Sequence, residues 1–372
     1  MPFDRRFRVI SICAMPTSSL AEIAKIAGVS KATVSLALRD NRKISEKTRI
    51  KVKEVARSVG YVPDPLMSVY QSRVRSLHPP KFQSCIGWIV DEADENKQFH
   101  SNPMLLAAKD QAAKMGYTIE PLYMPDLIKK GGARDVERFQ GILRSRGIHA
   151  LIMVQLLSAD LIRADWSEFA VILLGSRLSV LEVVNPGESW EPHYHQVVPD
   201  SFHNVRLAYR ILREQGAGRI GFVVSNFHDT VREGRLLSAY AGLTSKLNTR
   251  QKIPPFFFDN RDLEGCVESF RIWKEKYRPE GILTCTHLVQ DWCRRLGYAV
   301  PEDVVLAHVE RSSLDRGTGL SGVDQLLGPQ GVMAVNLVTG LLQRNERGMS
   351  EFPTRLLIPG VWRSAKTTRV VI

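Results

Sequence analysis

Residues 19–38, SLAEIAKIAGVSKATVSLAL, constrain this chain more than any other stretch. Leu20, Ile23, Ala24 and Ala27 fall at i, i+3, i+4 and i+7, the apolar stripe of a helix. Gly28 supplies a left-handed stop at little cost. Val29 fills the gap that follows. Ser30 suits the N-cap of a second helix, whose inward face is Val34, Ala37 and Leu38. Two short helices joined by a tight turn form a helix-turn-helix, and the second helix of such a unit usually enters a DNA major groove.

The outward face of that second helix follows from its pitch. At about 100° per residue, Ala32 and Leu36 lie almost opposite Val34, and Lys31, Thr33 and Ser35 flank them. A soluble helix normally puts charge opposite its core. Apolar residues there suit either a small protein–protein contact or contact with thymine methyl groups. In the second case Lys31, Thr33 and Ser35 bond to phosphates or base edges. Ser45 can cap a third helix, with Val52, Val55, Ala56 and Val59 as its buried stripe and Gly60 at its end. Residues 17–81 hold thirteen Lys/Arg and five Asp/Glu, a net of +8. Residues 1–16 add +2, so the remaining 291 residues share only +2 of the chain's +12. Positive charge is concentrated where the helix-turn-helix sits, as a polyanion partner requires.

The runs IAKIAGVSKATVSLAL and ISEKTRIKVKEVARSVGYVPDP closely resemble the LacI/GalR family of bacterial transcription regulators. The family fold resembles this chain from about Thr17 to its end. The resemblance implies a homodimer on a pseudo-palindromic operator, with a small effector in the larger domain shifting DNA affinity. The candidate DNA contacts are then Ser30, Lys31, Ala32, Thr33, Ser35, Leu36 and Asn41, joined by Met67 and Tyr70 in the segment that follows. There, Tyr61-Val62-Pro63-Asp64-Pro65 is extended or turn-like, because each proline disfavours helix in the residue before it. Residues 66–74 can form one or two helical turns, too few to be stable alone. They resemble the family's hinge helix, which orders on operator and pushes a leucine wedge into the minor groove. Met67 stands where a small residue is common, and Tyr70 stands at the wedge position. Either Tyr70 is the wedge, or these residues pack between two hinge helices. Arg73 and Arg75 are expected to meet phosphates.

From Ser84 onward, continuous apolar runs alternate with helical segments. Strands are expected at SCIGWIV, TIEPLY, HALIMV, FAVILLG, RIGFVV, PFFF, GILTC and VVLAHV. Helices are expected over 103–115, 136–146, 202–214, 233–246, 263–277 and 288–296. This pattern means parallel sheets covered on both faces, and some 290 residues are too many for one core. The expected architecture is multi-domain: a small all-α helix-turn-helix domain plus a two-lobe α/β domain like the periplasmic binding proteins. Its parts are an N-terminal extension over 1–16, the DNA-binding domain over 17–62 and a hinge and linker over 63–81. One lobe takes 82–199 with 325–347, the other 200–324 with 348–372. Three crossings fall near Pro199, Asp324 and Gly348.

Ligands of open α/β sheets sit at the carboxyl ends of the strands. By resemblance, the effector-binding residues are Asn102, Arg235, Thr286, His287, Glu310 and Gln325. The pattern departs from the family's in three places. His287 replaces a usual aspartate, Val309-Glu310-Arg311 replaces Phe-Asp-Asp, and Arg235 lies five residues before Tyr240 rather than four. A carbohydrate is the default effector, although the set is poor in carboxylates and amides for a pyranose. Trp88 or Trp292 can supply a stacking face or belong to the core. The long loop over 176–194 can shape the cleft or a dimer contact.

Other chemistry is sparse. The five cysteines show no CxxC spacing and no even framework, which fits reduced thiols. His193, His195 and His203 lack the carboxylate or cysteine that would complete a metal set. Gly216-Ala217-Gly218 with Gly221 spells GxGxxG but follows a helix and opens a strand, the wrong order for a dinucleotide. No nucleophile elbow appears. No cofactor and no catalysis are expected. Residues 5–15 faintly imitate a secretory signal without a convincing cleavage site, and Met15 is a candidate start. No run approaches the roughly 20 apolar residues that span a bilayer. The expectation is a cytoplasmic, nucleoid-associated regulator. The alternatives are a small-molecule-binding protein or enzyme with a vestigial DNA-binding domain, and a non-specific architectural DNA binder.

Overall fold

The computed structural model describes residues 19–38, 44–61, 84–90, 102–123, 133–154, 164–175, 193–259, 262–312 and 319–369. The chain divides into two compact units, 1–78 and 79–372.

The first unit holds α1 (Leu20–Ala27), α2 (Lys31–Leu38) and α3 (Glu46–Ser58). Each boundary has a local cause. The Ser19 hydroxyl accepts from the Glu22 N–H, and Gly28 stops α1 at φ 67°. The Val29 N–H closes the turn on the Ala24 carbonyl at 3.0 Å. The Thr33 N–H donates to Ser30 Oγ at 3.0 Å, and the Thr48 N–H donates to Ser45 Oγ at 3.3 Å. Ile23, Ala24, Ala27, Val34, Ala37, Val52 and Ala56 form one small core, with Leu20, Val29, Leu38 and Tyr61 packed against it.

The second unit carries two six-stranded sheets. Strands β1 (Ser84–Val90), β2 (Tyr117–Tyr123), β3 (Ala150–Val154), β4 (Ala170–Leu174) and β5 (His195–Pro199) belong to the first. Strands β6 (Ile220–Ser225), β7 (Phe256–Phe258), β8 (Gly281–Thr284), β9 (Val305–Arg311) and β10 (Gly322–Asp324) belong to the second. The last two strands, β11 (Arg355–Ile358) and β12 (Val361–Arg363), join one sheet each. The orders are β11-β5-β4-β3-β1-β2 and β12-β10-β9-β8-β6-β7. All pairings are parallel except that of β12 with β10, so the expected all-parallel second sheet has one antiparallel edge. β3 and β4 are buried at every position, as strands covered on both faces must be.

Helices α4 (Pro103–Lys114), α5 (Ala133–Ser145), α6 (Ser201–Glu214), α7 (Asn226–Thr230), α8 (Arg235–Thr244), α9 (Leu263–Tyr277), α10 (Leu288–Arg295) and α11 (Leu327–Arg344) complete the described elements. α4 and α11 pack on one face of the first sheet, and α5 with Trp166 packs on the other. The α4–α11 approach needs glycine, because a Cβ on Gly331 would lie 2.1 Å from the Met104 carbonyl oxygen. α8 is shorter than the 233–246 helix expected, because Glu233 and Gly234 take left-handed backbone at φ 56° and 69°.

The chain passes between sheets three times. It leaves the first sheet after Pro199, and α6 then packs on the second sheet's core. It returns after Asp324, and α11 packs on the first sheet. The third passage was expected near Gly348 and lies instead at Pro359-Gly360, because β11 still pairs with β5. Two contacts hold that stretch on the first lobe: the Ser350 N–H donates to the His193 carbonyl and the Thr354 N–H to His195 Nδ1. A Cβ on Gly360 would meet Val323 Cγ1 at 2.5 Å and the Asn204 Oδ1 and Asp324 carbonyl oxygens at 2.7 Å. Only glycine fits the crossing as built.

Gly216, at φ 90°, ends α6 before β6, so the GxGxxG run is a helix stop and turn. Cys85, Cys266, Cys285 and Cys293 are free thiols among the described residues.

Candidate DNA interface and effector cleft

On α2, Val34 and Ala37 face the core while Ala32 and Lys31 are exposed. Leu36, Thr33 and Ser35 are half-buried. The first unit therefore closes its core without Ala32 or Leu36 being sealed inside. The hydroxyls of Ser30 and Thr33 pair at 2.9 Å, so both are engaged in capping α2 as well as standing at its surface. Asn41, Met67, Tyr70, Arg73 and Arg75 lie outside the described residues.

In the second sheet β6, β8 and β9 run parallel, so Ser225, Thr284 and Glu310 stand at one edge, their carboxyl ends. Glu310 is almost fully buried, with 5% of its side chain exposed. Arg232 Nε donates to both its oxygens, at 2.8 and 3.0 Å, and Ser201 Oγ donates to Oε1 at 2.6 Å. Burial opposes ionisation of Glu310, but the Arg232 charge and the hydrogen bonds from Arg232 and Ser201 outweigh it. They hold the carboxyl below its ordinary range. Gln325 Nε2 donates to the Glu310 carbonyl at 2.6 Å, and the Glu310 N–H donates to His308 Nδ1 at 3.1 Å. Glu310 and Gln325 thus meet in one network, which spans the second crossing.

The other four residues named for the effector have these partners in the structure. Asn102 caps α4, its Oδ1 accepting from the Met104 N–H at 2.9 Å. Thr286 is buried; its N–H donates to Thr284 Oγ1, and its hydroxyl accepts from the Leu288 N–H at the start of α10. His287 is exposed and offers no side-chain cap to α10. Arg235 donates to Glu233 through Nε at 3.3 Å and Nη2 at 2.9 Å. Trp88 and Trp292 both lie in lobe cores, at 1% and 2% exposure, and Trp292 packs edge-on against Phe258. Neither offers a stacking face.

Sequence reasoning missed Arg232, Ser201 and His308. Arg232 lies in the loop three residues before Arg235, which opens α8, and spacing to Tyr240 pointed to Arg235 instead. It also missed Asp229, whose Oδ1 accepts from the Leu237 N–H at 3.0 Å and whose pKa burial raises.

One chain thus carries a helix-turn-helix unit and an α/β unit built on two largely parallel sheets. Residues 19–64 match the model of the LacI family of bacterial regulatory proteins. The three-helix unit thus matches the LacI-family model, and the chain is similar to regulators of the LacI/GalR family. It is 23% identical over 227 residues to the HTH-type transcriptional regulator GalR of Salmonella typhimurium, covering 61% of this chain and 59% of that protein. It is 43% identical over 47 residues to the sucrose operon repressor of Vibrio alginolyticus, covering 13% and 50%. The matches therefore span between half and three-fifths of these relatives. Among solved structures, the lac repressor dimer bound to operator and the anti-inducer ONPF is 16% identical, with 95% of this chain and 99% of that one covered and a TM-score of 0.52. A transcriptional regulator CelR–cellobiose complex is 17% identical, with 94% and 99% covered and a TM-score of 0.52. At these identities the likeness is one of fold. Among the described residues no helix is long and apolar enough to cross a membrane.

Proposed function

We propose that this chain is a sequence-specific transcriptional repressor that binds a pseudo-palindromic operator as a homodimer. A small effector, by default a carbohydrate, binds in the inter-lobe cleft and changes operator affinity. The reading includes a cytoplasmic, nucleoid-associated location and no catalysis or cofactor. The observation that carries it is the face of α2 opposite Val34: Ala32 is exposed and Leu36 half-buried on a unit whose core closes without them. Charge supports it, since +8 of the chain's +12 lies in residues 17–81. Ser30, Lys31, Ala32, Thr33, Ser35, Leu36 and Asn41 are the proposed base and phosphate contacts, with Met67 and Tyr70 either as minor-groove wedge or as packing between hinges. Glu310, Gln325 and Arg235 are the proposed effector contacts. Thr286, Asn102 and His287 keep that role only as wall residues.

Binding of the full chain to one palindromic site and to random DNA, over a salt series, tests this. A specific regulator should prefer its site by at least about 10³, and both affinities should fall steeply with salt. Equal affinity for the two DNAs would reject it.

A further inference from the structure

Arg235 opens α8 in the second lobe, and Arg355 opens β11 in the first. Both donate to one atom, Glu233 Oε2: Arg235 through Nε at 3.3 Å and Nη2 at 2.9 Å, Arg355 through Nη1 at 2.6 Å. Three N–H groups from opposite lobes converge on a single anionic oxygen. Two cations share one carboxylate, so one positive charge is left over. Among the described residues, the anions on and beside this loop are engaged elsewhere: Glu310 pairs with Arg232, and Asp229 is buried and accepts from the Leu237 N–H. The three side chains keep 27%, 34% and 32% exposure, for Arg235, Arg355 and Glu233, so a small solute can reach them. Glu233 is also a poor permanent occupant. Its backbone is left-handed at φ 56°, a conformation that costs a non-glycine residue free energy.

We infer that Arg235 and Arg355 form a two-lobed receptor for an anionic group on the effector, a carboxylate or a phosphate, whose place the Glu233 carboxylate holds in this structure. This rests on the reading of the cleft as an effector site and adds the effector's chemical class. Guanidinium pairs suit such groups because each presents its N–H donors in a fixed fork. An incoming anion takes over the donors that Glu233 relinquishes and ties the same two lobes together.

Titration calorimetry of the full chain at fixed ionic strength tests the assignment, with inorganic phosphate, D-gluconate and neutral D-glucose as probes. Glu233→Gln removes the internal competitor. It should bind phosphate or gluconate saturably and at least tenfold more tightly than the wild type. Adding Arg355→Gln should abolish that binding, while Arg271→Gln on α9 should leave it unchanged. Binding of phosphate alone points to a phosphoester effector, binding of gluconate alone to a carboxylate. Glu233→Ala serves if Glu233→Gln fails to fold by circular dichroism. A folded Glu233 variant that binds neither anion, or that binds glucose equally well, overturns the inference. Operator binding is measured on the same preparations. If it persists without anion binding, only this inference falls; if it is absent from the wild type, the regulator reading falls instead.

Discussion

Arg232 and Glu310 form a buried ion pair in which one guanidinium nitrogen, Nε, bonds both carboxylate oxygens, at 2.8 and 3.0 Å. The two residues lie 78 positions apart. One is in the loop before α8 and the other near the end of β9, beside the second crossing. The pair fixes the carboxyl-end edge of the second sheet from within.

Removing one partner of such a pair strands the other charge in a low-dielectric site. Glu310→Ala should therefore cost about 3–5 kcal/mol of unfolding free energy, read from urea midpoints. It should also remove the response to effector. A cost under about 1 kcal/mol would mean that water screens the pair as it does at a surface.

The same carboxyl sets a pH dependence. Its folded pKa lies below its ordinary value, so its stabilisation is present above the unfolded pKa of about 4.3 and is lost as pH falls through the folded value. Stability should fall as the solution is acidified from about pH 6 to about pH 3, and Glu310→Gln should flatten part of that fall. Identical slopes in variant and wild type would assign the acid sensitivity to other carboxylates, such as Glu233 and Glu346, which are also held low.

Leu36→Arg tests the readout face. Arginine at this half-buried outward position should change the base preferred at one position of each half-site, measured by selection from a randomised operator. An unchanged preference would remove Leu36 from base contact.

Tyr70→Ala separates the two roles open to that residue. A wedge predicts weaker binding together with less DNA bending in a circular-permutation assay. Weaker binding at equal bending would favour packing between hinge helices.

Gly360→Ala probes the third crossing. The added methyl has no room between Val323, Asn204 and the Asp324 carbonyl. A destabilisation of about 1–3 kcal/mol is expected from overpacking. A neutral result would show that the crossing can shift.

What could be read from sequence was local. The helix-turn-helix declared itself through Gly28, Ser30 and the two apolar stripes, Leu20 to Ala27 and Val34 to Leu38, all within twenty residues, because caps and periodicity are short-range signals. The buried strands were equally plain, since β3 and β4 are apolar throughout. α11 was not, because Gly328, Pro329, Gly331 and Gly340 argue against helix, and only the close fit onto α4 explains Gly331. β11 and β12 are short edge strands with alternating exposure, so nothing in their composition placed the crossing between them. The effector residues were the hardest. Spacing selected Arg235, whereas the partner of Glu310 is Arg232, and that choice is made by the turn of the loop at Glu233 and Gly234.

The passage of the chain between lobes bears on how the protein is made. The apolar layer of Ala334, Val335, Val338 and Leu341 that covers the first sheet, and the edge strand that finishes it, both follow strands β6 to β10 of the second lobe in the chain. On the ribosome, the first lobe therefore waits with an oily face open to water until strands β6 to β10 of the second lobe have emerged. A premature stop anywhere past Asp324 but before β11 would leave not one good lobe and one bad, but two unfinished ones, exposed to aggregation and to proteolysis.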